Sequence, residues 1–231
     1  MKYLELVFFA LLFYNNAMFA QARRSIRVKA GENIAQAYSS NGFYRFPKFG
    51  NAMVFYKDGR QINGECNYNL LTGNMQFIHS SGKPLDIDTP SNVDSIAFEK
   101  NIFVQDDGFL EIVAQSGSIK LLKKIIIKTR VEKIGALGLP AQSVSIDNLT
   151  TYSADTDVYN LVSNSDIVVI ENLYLYWMEA THIIKATKGN LLKLLPSEKK
   201  SAVDIYMKQH KINFDDENDL KELLTGLGGD K

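Results

Sequence analysis

The chain has 231 residues, of which 45% are hydrophobic, and it carries 26 basic and 26 acidic side chains. A chain of this length and composition can bury a sizeable core. The neutral balance argues against nucleic acid as a partner, because binding nucleic acid requires a clustered basic surface. Cys66 is the only cysteine, so no internal disulfide can form, and we expect its thiol to be buried and inert.

The N-terminal segment is arranged like a secretory signal peptide. Lys2 precedes an apolar run at residues 6–14, and small residues follow around Ala20 and Ala22. The run is far shorter than the roughly 20 residues that a membrane-spanning helix needs. We therefore expect residues 1–20 to be a signal peptide cleaved after Ala20, with Ala22 as the alternative site. A buried N-terminal helix is the competing interpretation.

The rest of the chain divides into a short leader and one domain. Residues 21–49 are first basic and then small and polar, which predicts an irregular N-terminal leader with one helical turn near residues 34–37. Residues 50–231 are expected to form a single β-rich domain that includes C-terminal helices at residues 189–227.

From residue 50 the chain alternates short apolar runs with turn residues. Asp58-Gly59 is a strong hairpin signal between the runs at 53–56 and 61–71. Strands joined by turns of this kind favour an antiparallel meander, which can curl into an open half-barrel. Further strands are predicted at residues 75–78, 84–87, 93–98, 102–105, 109–114 and 119–131.

The run at residues 119–131 alternates with a period of two. Its odd positions are apolar apart from Lys123 and Thr129, and its even positions are largely basic: Lys120, Lys124, Lys128 and Arg130. The basic row is either an anion-binding stripe or a solvated sheet face with Glu111 and Asp94 as partners.

Residues 141–165 are polar and predict a long loop. Asp155 and Asp157 could contribute to a Ca²⁺ site, but the later oxygen ligands of such loops are missing, so a solvated loop is the simpler interpretation. Asn148-Leu149-Thr150 matches a glycosylation acceptor only formally.

Two further strands are predicted at residues 167–170 and 173–178. Leu173, Leu175 and Trp177 face one side of the second strand, and Tyr174 and Tyr176 face the other. The tyrosines are either buried or form the wall of a ligand pocket. We take Tyr174 and Tyr176, together with Lys124 and Lys128, as the candidate ligand-binding residues.

The last 40 residues predict helices. A short helix ends at Pro196, and Ser197 is expected to cap the next one. Asp215 or Asp216 is expected to cap the last helix. The apolar positions of this last helix form one stripe, which consists of Leu220, Leu223, Leu224 and Leu227.

No catalytic, metal or cofactor motif is present in the sequence. His79, His182 and His210 are well separated, and none belongs to a recognisable pattern with Cys66. The chain contains no Gly-x-Ser-x-Gly elbow, no His-Glu-x-x-His and no phosphate-binding loop. We therefore expect a protein that is not an enzyme and has no cofactor.

Two regions carry a resemblance. FYKDG at residues 55–59 and NYNLLTGNMQFI at residues 67–78, together with the helical ending at residues 192–196, 212–214 and 220–224, resemble uncharacterised exported proteins of Bacteroidetes-type bacteria. The resemblance implies export and a location in the envelope of a diderm bacterium. It implies no catalytic residue.

These observations predict an α+β fold, an antiparallel meander with a small C-terminal helical cap. The favoured function is that of a non-catalytic protein of the periplasm or outer membrane that binds a lipid or another apolar small molecule. One alternative is an adaptor of the outer-membrane machinery that docks on an envelope protein. The other is a hydrolase whose site is not visible in the sequence.

Overall fold

The computed structural model describes residues 22–87, 90–131, 133–134, 140–141, 146–147 and 162–227. The predicted signal peptide lies outside these residues. So do Asn148, Asp155 and Asp157 of the predicted long loop.

In the described part of the chain, twelve strands form one antiparallel sheet. A separate pair of two-residue strands lies at Lys133–Ile134 (β10) and Pro140–Ala141 (β11). The strands of the main sheet are β1 Ala22–Val28, β2 Gly50–Tyr56, β3 Gln61–Asn69, β4 Asn74–Ile78, β5 Pro84–Asp86, β6 Val93–Phe98, β7 Asn101–Asp106, β8 Gly108–Ser116, β9 Ile119–Val131, β12 Ile146–Asp147, β13 Ile167–Glu179 and β14 His182–Lys185.

Four helices and one short 3₁₀ turn at Pro90–Asn92 complete the described structure. None of these helices has both the length and the apolar character needed to cross a bilayer. The helices are α1 Ile34–Tyr38, α2 Lys188–Leu194, α3 Ser197–Gln209 and α4 Glu217–Leu227.

The sheet confirms the predicted α+β meander. Its strand order is β1-β13-β9-β8-β7-β6-β2-β3-β4-β5, so β2 to β9 are joined mainly by tight turns between neighbours. Gly59 supplies the positive φ of 87° that the β2–β3 turn requires. β14 pairs with one half of β13, while β1 pairs with the other half.

The sheet curls without closing. The carbonyl of Leu70, just after β3, accepts a hydrogen bond of 2.9 Å from the amide of Ile127 in β9. The carbonyl of Gly73 likewise accepts one of 2.9 Å from the amide of Phe109 in β8. The β3–β4 turn therefore folds back onto strands that are far from it in the strand order.

Two apolar cores lie on the same side of β9 and β13. The first core fills the curl and includes Phe43, Phe98, Phe103, Ile125 and Ile127. The second core lies under helices α2 to α4, where Leu121 and Trp177 of the sheet meet side chains of the helices, namely Leu191, Val203, Leu220, Leu223 and Leu224. A smaller cluster with Leu110, Leu122 and Met178 lies on the opposite face.

The expected irregular leader is wrong for its first part, because residues 22–28 form β1 and pair with β13. Val28 is buried and Ile26 packs against the first core, so this short strand is held by tertiary contacts rather than by its own basic composition. The predicted helical turn is confirmed as α1.

Two further differences concern a strand boundary and a helix cap. The runs predicted at 167–170 and 173–178 form one strand, β13, because Glu171 and Asn172 pair with β9 without interruption. Ser197 is the first residue of α3, and Pro196 occupies the capping position without a side-chain hydrogen bond. The Asp216 cap is confirmed: its Oδ1 accepts from the amides of Asn218 and Asp219.

Candidate ligand-binding cleft

A cleft of about 470 Å³ opens where β1 and the α1 segment meet the core side of β9 and β13. Its position is near the border between the two apolar cores, since Ile125 belongs to the first core and Leu121 of the same strand to the second. The residues that line the cleft are Arg24, Tyr38, Ser39, Tyr44, Arg45, Leu70, Lys123, Ile125 and Glu171.

A buried ionic cluster meets the cleft at Lys123, which lines it. Lys123 is only 8% exposed, and its Nζ lies 3.5 Å from Oε2 of Glu111 and 3.4 Å from Oε1 of Glu217. Lys221 of α4 adds a contact of 2.6 Å to Oε1 of Glu217. A buried lysine is tolerated only when it is paired, and here β8 and α4 each supply a carboxylate.

The cluster holds Glu217 in its charged form. Burial by itself raises the pKa of this carboxyl, but the hydrogen bond from Lys221 and the charge of Lys123 outweigh burial and lower it. Helix α4 is thereby joined to β9 by an ion pair as well as by its leucine stripe.

Two guanidinium groups also face the cleft, and each makes fewer polar contacts than Lys123 does. Arg45 contacts Oε2 of Glu111 through Nε at 3.4 Å, and its guanidinium lies 5.3 Å from the centre of the Phe46 ring. Arg24 lies 5.1 Å from the centre of the Tyr38 ring. Neither side chain makes a further hydrogen bond or ion pair with another described residue.

Two tyrosines add hydrogen-bonded polar walls. The hydroxyl of Tyr38 donates to Oε2 of Glu171 at 2.7 Å, and the hydroxyl of Tyr44 donates to Oε1 of Gln76 at 2.6 Å. Glu171 also lies directly across the β1–β13 pair from Arg24. Leu70 and Ile125 add an apolar surface, so the cleft offers both charged and apolar contacts to a small molecule.

The four residues predicted from the sequence lie on the opposite face of the sheet. Tyr174 pairs directly with Lys124 across β9 and β13, Tyr176 with Leu122, and Lys128 with Ile170. None of the four lines the cleft described above.

Lys124 donates to the carbonyl of Asp107. Burial, followed by the charge of Tyr174, raises the pKa of Tyr176. A ligand-binding role for these four residues stays a prediction.

The partners expected for the basic row of β9 also differ. Glu111 lies on the core side, where it contacts Lys123 and Arg45 instead of the even-numbered lysines. The carboxylate of Asp94 accepts a hydrogen bond from the hydroxyl of Ser95.

Sequence reasoning missed most of the cleft, although one signal was present. Lys123 interrupts the apolar row of β9, and a charged residue on the core side of a strand requires a partner. Arg24 and Arg45 give no such signal, because the sequence predicts an irregular segment where they lie.

Other candidate residues have structural surroundings. Cys66 is buried, as predicted, and burial raises the pKa of its thiol to about 11. Nδ1 of His79 contacts the hydroxyl of Ser81, and the ring of His210 stacks on Tyr206. Among the described residues, no three His, Cys, Asp or Glu side chains are grouped so that they could hold a metal ion.

Comparisons of this chain with protein-family models, with curated proteins and with solved structures found no match.

Proposed function

We propose that this protein is a non-catalytic binding protein that holds a small amphiphilic molecule in the cleft between β1, α1 and β9. The observation that carries the proposal is the lining itself, in which arginine and tyrosine side chains lie beside the apolar surface of Leu70 and Ile125. Ligand pockets combine a few fixed polar groups with apolar walls in this way.

Catalysis is the weaker proposal for this cleft, because the hydroxyl of Ser39 and the ammonium group of Lys123 serve structural contacts. Ser39 donates its hydroxyl proton to the carbonyl of Gly42 at 2.7 Å, so it is not aligned with a base in the way a nucleophile requires. Lys123 is held between two carboxylates. Such groups position a ligand better than they transfer a proton.

We also propose that the protein acts in the envelope of a diderm bacterium, in the periplasm or at the outer membrane. The support is the signal-peptide pattern of residues 1–20 and the resemblance to exported proteins. Mass spectrometry of the protein from the cells that produce it should give a chain that begins at Gln21. An intact Met1 would contradict export by this route.

The binding proposal is tested by native mass spectrometry of the same protein beside a solvent extract. We expect a stoichiometric small-molecule adduct. Ser39→Trp, which narrows the cleft, should lose the adduct. Ser40→Trp is the matched control, because Ser40 is exposed and does not line the cleft.

An adduct of equal amount in both variants would place the ligand elsewhere and reject this cleft. A bare mass with a companion protein would favour the adaptor function instead, and a bare monomer would reject the binding proposal.

A further inference from the structure

Among the residues that the structure describes, the charges around the cleft do not balance. The described groups of the cleft and its ionic cluster comprise four cations and three carboxylates: Arg24, Arg45, Lys123 and Lys221 against Glu111, Glu171 and Glu217. The surplus is one positive charge in a chain whose formal net charge is zero. Because its walls are partly buried, the cleft strengthens the electric field of this surplus charge. That field attracts a ligand of opposite charge.

The surplus is located at Arg45 rather than at Lys123. Lys123 is almost fully buried and lies between Glu111 and Glu217. Arg45 contacts a carboxylate through Nε alone, at 3.4 Å, and its side chain is 33% exposed. Its two terminal nitrogens remain as donors in the fork that suits a carboxylate, sulfonate or phosphate group.

The backbone that carries Arg45 is fixed before a ligand arrives. The amide of Arg45 donates to the carbonyl of Tyr68 at 2.9 Å, and the carbonyl of Phe43 accepts from the amide of Leu70 at 2.9 Å. Asn67 adds a hydrogen bond of 3.0 Å from its side chain to the carbonyl of Phe46. This segment is therefore anchored to β3, which lowers the ordering cost of binding.

Glu171 is the carboxylate among the residues that line the cleft, and it does not require a cationic ligand. Glu171 accepts the hydroxyl proton of Tyr38 at 2.7 Å and faces Arg24 across the strand pair. This carboxylate thus already has a hydrogen-bond donor inside the protein, and a guanidinium lies opposite it in the strand register. The apolar surface of Leu70 and Ile125 lies in the same cleft as Arg45, so an anionic group and an apolar body can be held together.

We propose that the ligand of this cleft is a monoanionic amphiphile whose acidic group contacts the Arg45 guanidinium and whose apolar body lies against Leu70 and Ile125. The inference rests on the proposed function and narrows its ligand to one chemical class. Arg24, which lines the cleft and is exposed, adds positive potential without contacting the acidic group.

Two dyes that differ by one anionic group provide the test. 1-Anilinonaphthalene-8-sulfonate carries a sulfonate, and N-phenyl-1-naphthylamine is its uncharged counterpart. The ligand-free full-length mature protein should bind both dyes, and the anionic one more tightly. Arg45→Gln should weaken the anionic dye about tenfold, the effect of one charge-assisted hydrogen bond, and leave the neutral dye unchanged.

Arg24→Gln and Arg60→Gln form a matched pair of exposed variants. Both arginines lie over tyrosine rings, Arg24 over Tyr38 and Arg60 over Tyr56, but Arg60 is in the β2–β3 turn and does not line the cleft. Arg24→Gln should weaken the anionic dye a few-fold, an effect reduced by added salt, and Arg60→Gln should not. If Arg45→Gln does not fold, this pair of variants decides whether the cleft prefers an anionic ligand.

The outcomes separate the two proposals. Binding of both dyes with no selective loss in Arg45→Gln or Arg24→Gln would overturn the anionic class and leave a cleft that binds apolar molecules. Failure of the wild type to bind either dye would remove both proposals. Inorganic phosphate should displace the anionic dye only weakly. Displacement at equal concentration would mean that the ligand is a free anion and would overturn the amphiphile.

Discussion

Gly226 is the residue that allows helices α3 and α4 to approach closely. A Cβ atom at this position would lie 2.7 Å from Cε2 of Tyr206. The ring of Tyr206 is itself stacked on His210 at a centroid distance of 4.1 Å, so moving aside would disturb that stacking. The close approach of α3 and α4 therefore depends on the absence of a Cβ atom at Gly226.

We predict that Gly226→Ala destabilises the protein by about 1–3 kcal/mol, although alanine is the better helix former by about 1 kcal/mol. Gly189→Ala in α2 is the control, because a Cβ there meets nothing within 4 Å. It should be neutral or stabilising. Urea unfolding measures both variants, and equal stability of the two would show that the Tyr206 contact is soft.

The thiol of Cys66 should be inert in the folded protein. Burial raises its pKa to about 11, so the reactive thiolate is scarce at pH 8. We predict that a chromogenic disulfide reagent labels Cys66 only after denaturation. Rapid labelling at pH 8 without denaturant would show that the β3 region opens readily.

At the residue scale, the sequence predicts burial better than it predicts contacts. The buried leucines of α4 and the thiol of Cys66 follow from periodicity and residue type. The Glu111–Lys123–Glu217 cluster does not: Glu111 and Lys123 face each other in the β8–β9 hairpin, but Glu217 comes from a helix 94 residues further along the chain. Periodicity reports which side a residue faces and carries no information on what it meets there.

Helix α4 is attached to the sheet by charge as well as by apolar contacts. Glu217 at its start reaches Lys123 of β9, while Leu220, Leu223 and Leu224 cover the second core. Because the pKa of Glu217 is lowered in the folded state, the unfolded chain takes up a proton first as the pH falls. The stability from this group is thus present above the usual glutamate pKa of about 4.3 and is lost as the pH falls through its folded pKa.

We predict that Glu217→Gln lowers stability at pH 7 by about 1–3 kcal/mol and flattens the loss of stability on acidification. Urea unfolding at neutral and acidic pH measures both effects. Asp204→Asn is the control, since the Lys188–Asp204 pair is exposed and should not contribute measurably. An unchanged acid profile in Glu217→Gln would mean that other carboxyl groups control the acid response.

At the element scale, the strands of the meander are predictable because each is bounded by its own turn. The Asp58-Gly59 hairpin and the alternation of β9 are local signals, and both are confirmed. Strand β1 carries no comparable signal. It exists because β13 offers an edge to which Ser25, Ile26 and Arg27 can pair, a contact made over a long separation in sequence.

At the scale of the whole molecule, one face of β9 and β13 supports both apolar cores. The first core covers Ile125 and Ile127, the second covers Ile119 and Leu121, and Lys123 lies between them on the same strand. A substitution that loosens the packing of either core therefore also affects β9 and β13, which form one wall of the other core. The sequence predicts a helical cap, but it cannot show that the cap completes a core on the same strands that enclose the first.

The single tryptophan tests whether these two cores unfold together. Trp177 is fully buried beneath the helices, and its Nε1 donates to the carbonyl of Thr187 at 3.2 Å. Its fluorescence thus reports on the second core, while far-ultraviolet circular dichroism reports on the sheet as a whole. Because β9 and β13 belong to both cores, we predict that the two signals follow one urea transition with a shared midpoint.

A fluorescence transition at lower urea than the loss of the sheet signal would contradict this prediction. It would mean that the helical cap detaches while the curled sheet persists. Glu217→Gln extends the comparison, since it removes the ion pair between α4 and β9. If the two cores unfold together, Glu217→Gln moves the fluorescence midpoint and the circular-dichroism midpoint by the same amount. The reason is that unfolding of the cap exposes Leu121 and Trp177 and leaves Lys123 without one of its two carboxylates.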